Sequence, residues 1–80
     1  MPDNRTSNLY RASKGGAFTV ARVPSIGLLE SLGVRAGAQV EVEARYALGG
    51  PVLLRVEGAY SVALGKDIAQ QIEVLEAEPV

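Results

Sequence analysis

Residues 28–37, Leu-Leu-Glu-Ser-Leu-Gly-Val-Arg-Ala-Gly, spell the one clear helix in a chain otherwise written in strand pattern, and this limits the possible architectures more than any other feature. Pro24 fixes its own φ, and Ser25 is placed to cap the first turn through its hydroxyl. Ile26, Leu29 and Leu32 recur at intervals of three, with Leu28 and Leu32 four apart, so a helix gathers all four on one apolar face and turns Glu30 and Ser31 outward. Gly33 suits the left-handed conformation that closes a helix, and Val34 beyond it is placed to touch Leu29. Gly27 weakens the first turn by about 1 kcal/mol relative to alanine. A helix this short with that defect requires a sheet to pack on.

The sheet is legible on both sides of the helix. Residues 17–23 are rich in β-branched and aromatic types between Gly15-Gly16 and Pro24, and Phe18 and Val20 point inward. Residues 39–46 alternate without a break, placing Val40, Val42, Ala44 and Tyr46 on one face and Gln39, Glu41, Glu43 and Arg45 on the other. Residues 47–50 form a turn, and Pro51 opens a third strand where its missing N–H does least harm. Val52, Leu54 and Val56 face inward there. Glu57-Gly58 is a tight turn into residues 59–64, whose inward set is Tyr60, Val62 and Leu64. Residues 66–71 allow one helical turn, and 72–76 form a last strand with Ile72 and Val74 inward. Leu9-Tyr10-Arg11-Ala12 reads as a helical turn or an extended lead-in.

The expected fold is therefore mainly β, a small five-stranded, partly open barrel with one short helix between its first two strands. It occupies residues 9–77, with a polar, unpatterned N-terminal tail over 1–8 and a C-terminal tail over 78–80. An incompletely closed barrel keeps an edge strand through which a second copy could pair.

Composition narrows the chemistry. With no cysteine and no histidine, the 80-residue chain lacks thiolate ligands, the commonest neutral metal ligand and the usual general base. No glycine-rich loop leads into a helix start that would cradle phosphate. A net charge of −1 argues against nucleic acid as a partner, since that affinity rests on neutralising phosphates. No apolar run approaches the ~20 residues of a bilayer span, and the polar start does not resemble a signal peptide, so the chain is read as cytosolic and non-enzymatic.

The pattern Leu-x-x-Leu-Gly-Val-x-x-Gly-x-x-Val-x-Val over 29–42 is followed by Leu-Gly-x-Pro-Val over 48–52, Val-x-Gly over 56–58 and Ala-x-x-Ile-x-Val over 69–74. In order and spacing this resembles the FeoA family of ferrous iron transport protein A. Leu9 with Gly15 or Gly16 resembles the family's lead-in to its first strand. The resemblance implies an SH3-like barrel acting in the cytosol beside FeoB, a membrane ferrous-iron transporter with a GTP-binding domain. It equally implies similarity to the C-terminal domain of iron- and manganese-dependent repressors of the diphtheria-toxin-repressor type. The chain departs from the family's frequent Pro-Leu-Gly-Asp-Pro hairpin, with Ala47 in place of the first proline and Gly50 in place of the aspartate.

Three sets of residues are candidate sites. Leu48 on the 45–51 hairpin, flanked by Arg45 and Tyr46, either enters a partner's apolar pocket or folds back over the barrel mouth onto Tyr46. Glu30, Ser31 and Arg35 on the outer side of the helix offer a docking face or a solvated one. Glu41 and Glu43 share a strand face and suggest weak binding of Fe2+ or another divalent cation. Two carboxylates without further ligands make a poor site, and Arg45 and Arg55 stand ready to pair with them. The functional readings are an adaptor for a transporter's cytosolic part, a weak metal-responsive sensor and a generic RNA- or peptide-binding small barrel, against which the near-neutral charge and the scarcity of exposed aromatics stand.

Overall fold

The computed structural model describes residues 6–76. Its elements run β1 Thr6–Asn8, a 3₁₀ turn Leu9–Arg11, β2 Ala17–Arg22, α1 Gly27–Ser31, β3 Gln39–Arg45, β4 Val52–Val56, β5 Tyr60–Leu64, α2 Lys66–Ala69 and β6 Glu73–Glu76. The strands pair antiparallel in the order β1-β6-β2-β3-β4-β5, so β1 and β5 form the two edges of a partly open barrel. One strand is additional to those expected. Thr6–Asn8, assigned by sequence to a loose tail, pairs with β6 through Ser7↔Val74 and Asn8↔Glu73. Three polar residues are too few to display a period of two. The remainder of that expected tail and the expected C-terminal tail lie outside the described residues.

Burial follows the alternation closely. Phe18, Val20, Val40, Val42, Val52, Leu54, Val56, Leu64, Ile72 and Val74 all face the core, with Leu9, Leu29 and Val34 between them. Among the described residues no polar or charged residue is buried. Leu9 belongs to this core because its 3₁₀ turn is tied down at both ends. The Leu9 N–H donates to the Ile72 carbonyl at 2.7 Å, and the Arg11 N–H donates to Asn8 Oδ1 at 3.0 Å.

Helix α1 is shorter than expected and differs at its start. Ile26, in extended conformation, is its N-cap and supplies no side-chain hydrogen bond, so Ser25 is not the cap. A helix of only five residues buries Leu29 and leaves Leu28 59% exposed, so Leu28 is not on the packed face. The C-terminal end is as expected. Gly33 has φ 82°, its N–H donates to the Glu30 carbonyl at 3.0 Å, and the Val34 N–H donates to the Leu29 carbonyl at 2.9 Å. These paired bonds, with Val34 and Leu29 both buried, make a Schellman ending. Tyr60, expected inward, is instead 44% exposed and lies against this ending, its hydroxyl donating to the Leu32 carbonyl at 2.5 Å.

Strand β3 also departs from its alternation, at one place. Val42 pairs with Leu54, but Ala44 pairs with Leu53 and Arg45 with Val52, so residue 43 is a bulge. A single inserted residue exchanges the two faces of everything that follows it. Arg45, expected on the wet face, therefore stands opposite buried Val52, and Tyr46, expected inward, is 52% exposed.

Gly33 carries two constraints at once, because a Cβ there would collide with the Tyr60 hydroxyl in addition to meeting the positive φ. Gly37, at φ 94°, has nothing within 4 Å of such a Cβ. Gly37→Ala is expected to lower unfolding stability by about 1 to 2 kcal/mol from backbone conformation alone. Gly33→Ala is expected to cost clearly more, since the displaced Tyr60 forfeits its hydrogen bond as well. Urea denaturation of the two variants checks the difference.

Candidate functional site

The β3–β4 hairpin closes on residues 47–50. The Gly50 N–H donates to the Ala47 carbonyl at 3.2 Å, and Tyr46 continues the ladder through its N–H to the Pro51 carbonyl at 3.0 Å. Leu48 and Gly49 sit between at φ 62° and 78°, the two positive values that a type I′ turn needs. Such turns favour Asn-Gly, and a leucine in the left-handed region is strained by about 1 to 2 kcal/mol. Leu48 is also 103% exposed, so it does not fold back over Tyr46. Its conformation and its exposure are both unfavourable, and among the described residues no hydrogen bond or burial offsets either.

Beside the tip lies an open concavity lined by Tyr10, Arg11, Arg45, Lys66 and Gln70. Arg45 reaches it because of the bulge. Its Nη1 donates to the Tyr10 carbonyl at 3.1 Å and to the Ala12 carbonyl at 2.5 Å, which fixes the 3₁₀ turn against the barrel mouth. Lys66 at the start of α2 places Nζ 5.6 Å from the centre of the Tyr10 ring, a cation–π contact. The Lys66 stem also runs past the hairpin, since its Cδ lies 3.8 Å from where a Cβ on Gly49 would be. The apolar tip and the basic concavity are thus neighbours.

The other candidates fall elsewhere. Glu30 and Arg35 are both exposed and line one groove of about 430 Å³ with Val23, Pro24, Ile26, Leu29 and Val34, while Ser31 is exposed outside that lining. Glu43 has both carboxylate oxygens engaged, Oε1 by the Ser61 hydroxyl at 2.7 Å and Oε2 by Arg55 Nη1 at 3.5 Å. Glu41 is exposed on the next residue but one. Among the described residues no three of His, Cys, Asp and Glu gather as a metal site, and Arg45 is turned away from both glutamates toward the 3₁₀ turn.

Residues 7–76 match the FeoA domain family. The chain belongs to the FeoA family. Its backbone is similar to that of an iron uptake regulatory protein (FeoA) in crystal form, with a TM-score of 0.80 and 25% identity over 90% of this chain and 97% of that one. It is also similar to iron(II) transport protein A from Clostridium thermocellum, with a TM-score of 0.78 and 27% identity over 88% of this chain and 45% of that one. A manganese-dependent transcriptional repressor superposes with a TM-score of 0.83 and 26% identity over 96% of this chain, which spans only 45% of the repressor's length. No curated protein matches the chain by sequence.

In this FeoA domain the sequence located the hairpin but missed the company it keeps. Tyr10, Arg11, Lys66 and Gln70 were not among the expected site residues because they sit on or beside two short helical elements far apart in the chain, and only the folded barrel brings them together. The one available signal was the excess of base among Arg5, Arg11, Lys14 and Arg22, ahead of the helix.

Two outcomes follow from this geometry. Leu48→Asn installs the favoured Asn-Gly turn and is expected to raise unfolding stability by about 1 kcal/mol, read by chemical denaturation. Arg45→Gln removes both bonds to the 3₁₀ turn and is expected to cost about 1 kcal/mol, with faster amide hydrogen exchange of Ala12 as the local readout.

Proposed function

We propose that the chain is a non-enzymatic, cytosolic accessory protein of ferrous iron uptake that binds the cytosolic part of an FeoB-type membrane transporter through its β3–β4 hairpin. Membership of the FeoA family supports a role in iron uptake, and the similar solved structures include an iron uptake regulatory protein and an iron(II) transport protein. Among the described residues no helix is long and apolar enough to cross a membrane.

The observation that carries the reading is Leu48. A residue held in an unfavourable backbone conformation without local compensation points toward function, and a fully exposed leucine on a turn is free to enter a partner's apolar pocket. Its burial in a partner's pocket recovers about 1.5 to 3 kcal/mol that the free protein forgoes. Glu30 on α1 and Arg35, which lies beyond the end of that helix, line a groove apart from the hairpin and form a secondary, separate contact. The engagement of Glu43 by Arg55 and Ser61 supports a structural role for that carboxylate over a metal-sensing one.

The test is titration of isotope-labelled protein with the isolated cytosolic domain of the transporter, with ferrous ion alone as a control. Amide shifts centred on residues 45–51 are expected, and Leu48→Asn should weaken binding by at least tenfold, about 1.4 kcal/mol, while leaving the fold intact. Binding that leaves the hairpin unmoved would remove it from the interface. Discrete shifts around Glu41 and Glu43 with metal alone would favour the sensor.

A further inference from the structure

The chain carries a net charge of −1, yet three of its eight basic side chains, Arg11, Arg45 and Lys66, line one concavity, and among the described residues no carboxylate lines it with them. Among the described residues none of the three forms a salt bridge, although Asp67 follows Lys66 directly in α2. Two of them are held in place before any ligand arrives. The Arg45 guanidinium is anchored through Nη1 to two backbone carbonyls, and Lys66 is seated over the Tyr10 ring. Arg45 spends only Nη1 on this anchorage; Nε and Nη2 make no hydrogen bond among the described residues. A guanidinium presents its donors in a fixed fork suited to a carboxylate, and an oriented one loses less freedom on binding. Gln70, an exposed residue whose side chain carries an amide donor, also lines the concavity.

The neighbourhood of Leu48 decides what kind of carboxylate this is. Because Lys66 runs alongside Gly49, a ligand seated in the concavity lies beside the strained leucine. We infer that this surface receives an acidic segment of a partner protein, its carboxylates on Arg11, Arg45 and Lys66 and an adjoining apolar pocket around Leu48. The inference rests on the reading of the hairpin as a docking element and specifies the chemistry of what it meets. A free inorganic anion would engage the cations and leave Leu48 strained and wet. An anionic bilayer would meet a single extended leucine, and stable attachment to a membrane takes stronger apolar anchorage than that. Opposed charge also steers encounter, so the association should be fast and salt-sensitive.

The experiment uses the full chain, isotope-labelled, titrated with an end-blocked Asp-Glu-Leu-Glu-Asp peptide at low and high salt. Inorganic phosphate and phosphatidylglycerol vesicles serve as parallel probes. Shifts at Arg11, Arg45, Lys66, Gln70 and the hairpin are expected, weakened on the order of tenfold by high salt or by the double variant Arg11→Gln, Lys66→Gln. Both replaced residues are exposed, and an unchanged amide spectrum of the free variant shows that its fold is kept. Peptide binding that ignores the double variant overturns the inference, as does phosphate binding of equal strength, or vesicle binding without peptide binding. The transporter's cytosolic domain, run in the same series, separates the two readings. If Leu48→Asn weakens that domain's binding while the double variant and salt do not, the acidic-segment inference falls and hairpin docking stands. If the peptide binds as described and the domain does not bind, the acidic-segment inference stands and the transporter assignment falls.

Discussion

Between Val42 and Ala44 the register of β3 against β4 slips by one residue, and the arrangement of the barrel mouth depends on that slip. Without it Arg45 would lie on the wet face with Glu41 and Glu43, and Tyr46 would enter the core. With it the Arg45 guanidinium crosses to the Tyr10 and Ala12 carbonyls and holds the 3₁₀ turn in place. That turn carries Leu9 into the core and Arg11 to the surface beside Lys66. A bulge of this kind re-aims side chains at the cost of one unpaired residue, and here Glu43 finds partners in Ser61 and Arg55.

Among the described residues two non-glycine residues adopt positive φ, and their surroundings differ. Glu57, at φ 53°, is compensated. Its N–H donates to the Gln39 carbonyl at 2.8 Å while its Oε2 accepts from the Gln39 N–H at 3.0 Å, so its side chain and its backbone together clasp the start of β3. Leu48, at φ 62°, makes no comparable bond and lies fully in solvent. The same local strain therefore has a structural explanation at one turn and none among the described residues at the other. That contrast, more than exposure alone, distinguishes the β3–β4 tip from the β4–β5 tip.

Much of this barrel was legible because its strands obey a simple rule. One-sided burial forces a period of two, and Val40, Val42, Val52, Leu54 and Val56 display it plainly. Gly33 was equally readable, since a helix end that needs positive φ selects glycine and an apolar residue after it. The misreadings share one origin. Leu28, Tyr46 and Tyr60 are apolar or aromatic residues in helical or strand phase that the tertiary structure leaves half-exposed, and hydrophobicity alone does not count turns of helix or reveal a bulge.

Local pattern by itself determined the class of fold, most of the core and the family, because each follows from short-range spacing that no distant contact can alter. The strand Thr6–Asn8, the face taken by Arg45 and the meeting of Tyr10, Arg11 and Lys66 beside Leu48 were decided only by the tertiary structure. Each depends on a register or a juxtaposition between segments distant in the chain. Such pairings are selected by the packing of the whole barrel, so no single segment carries a signal for them.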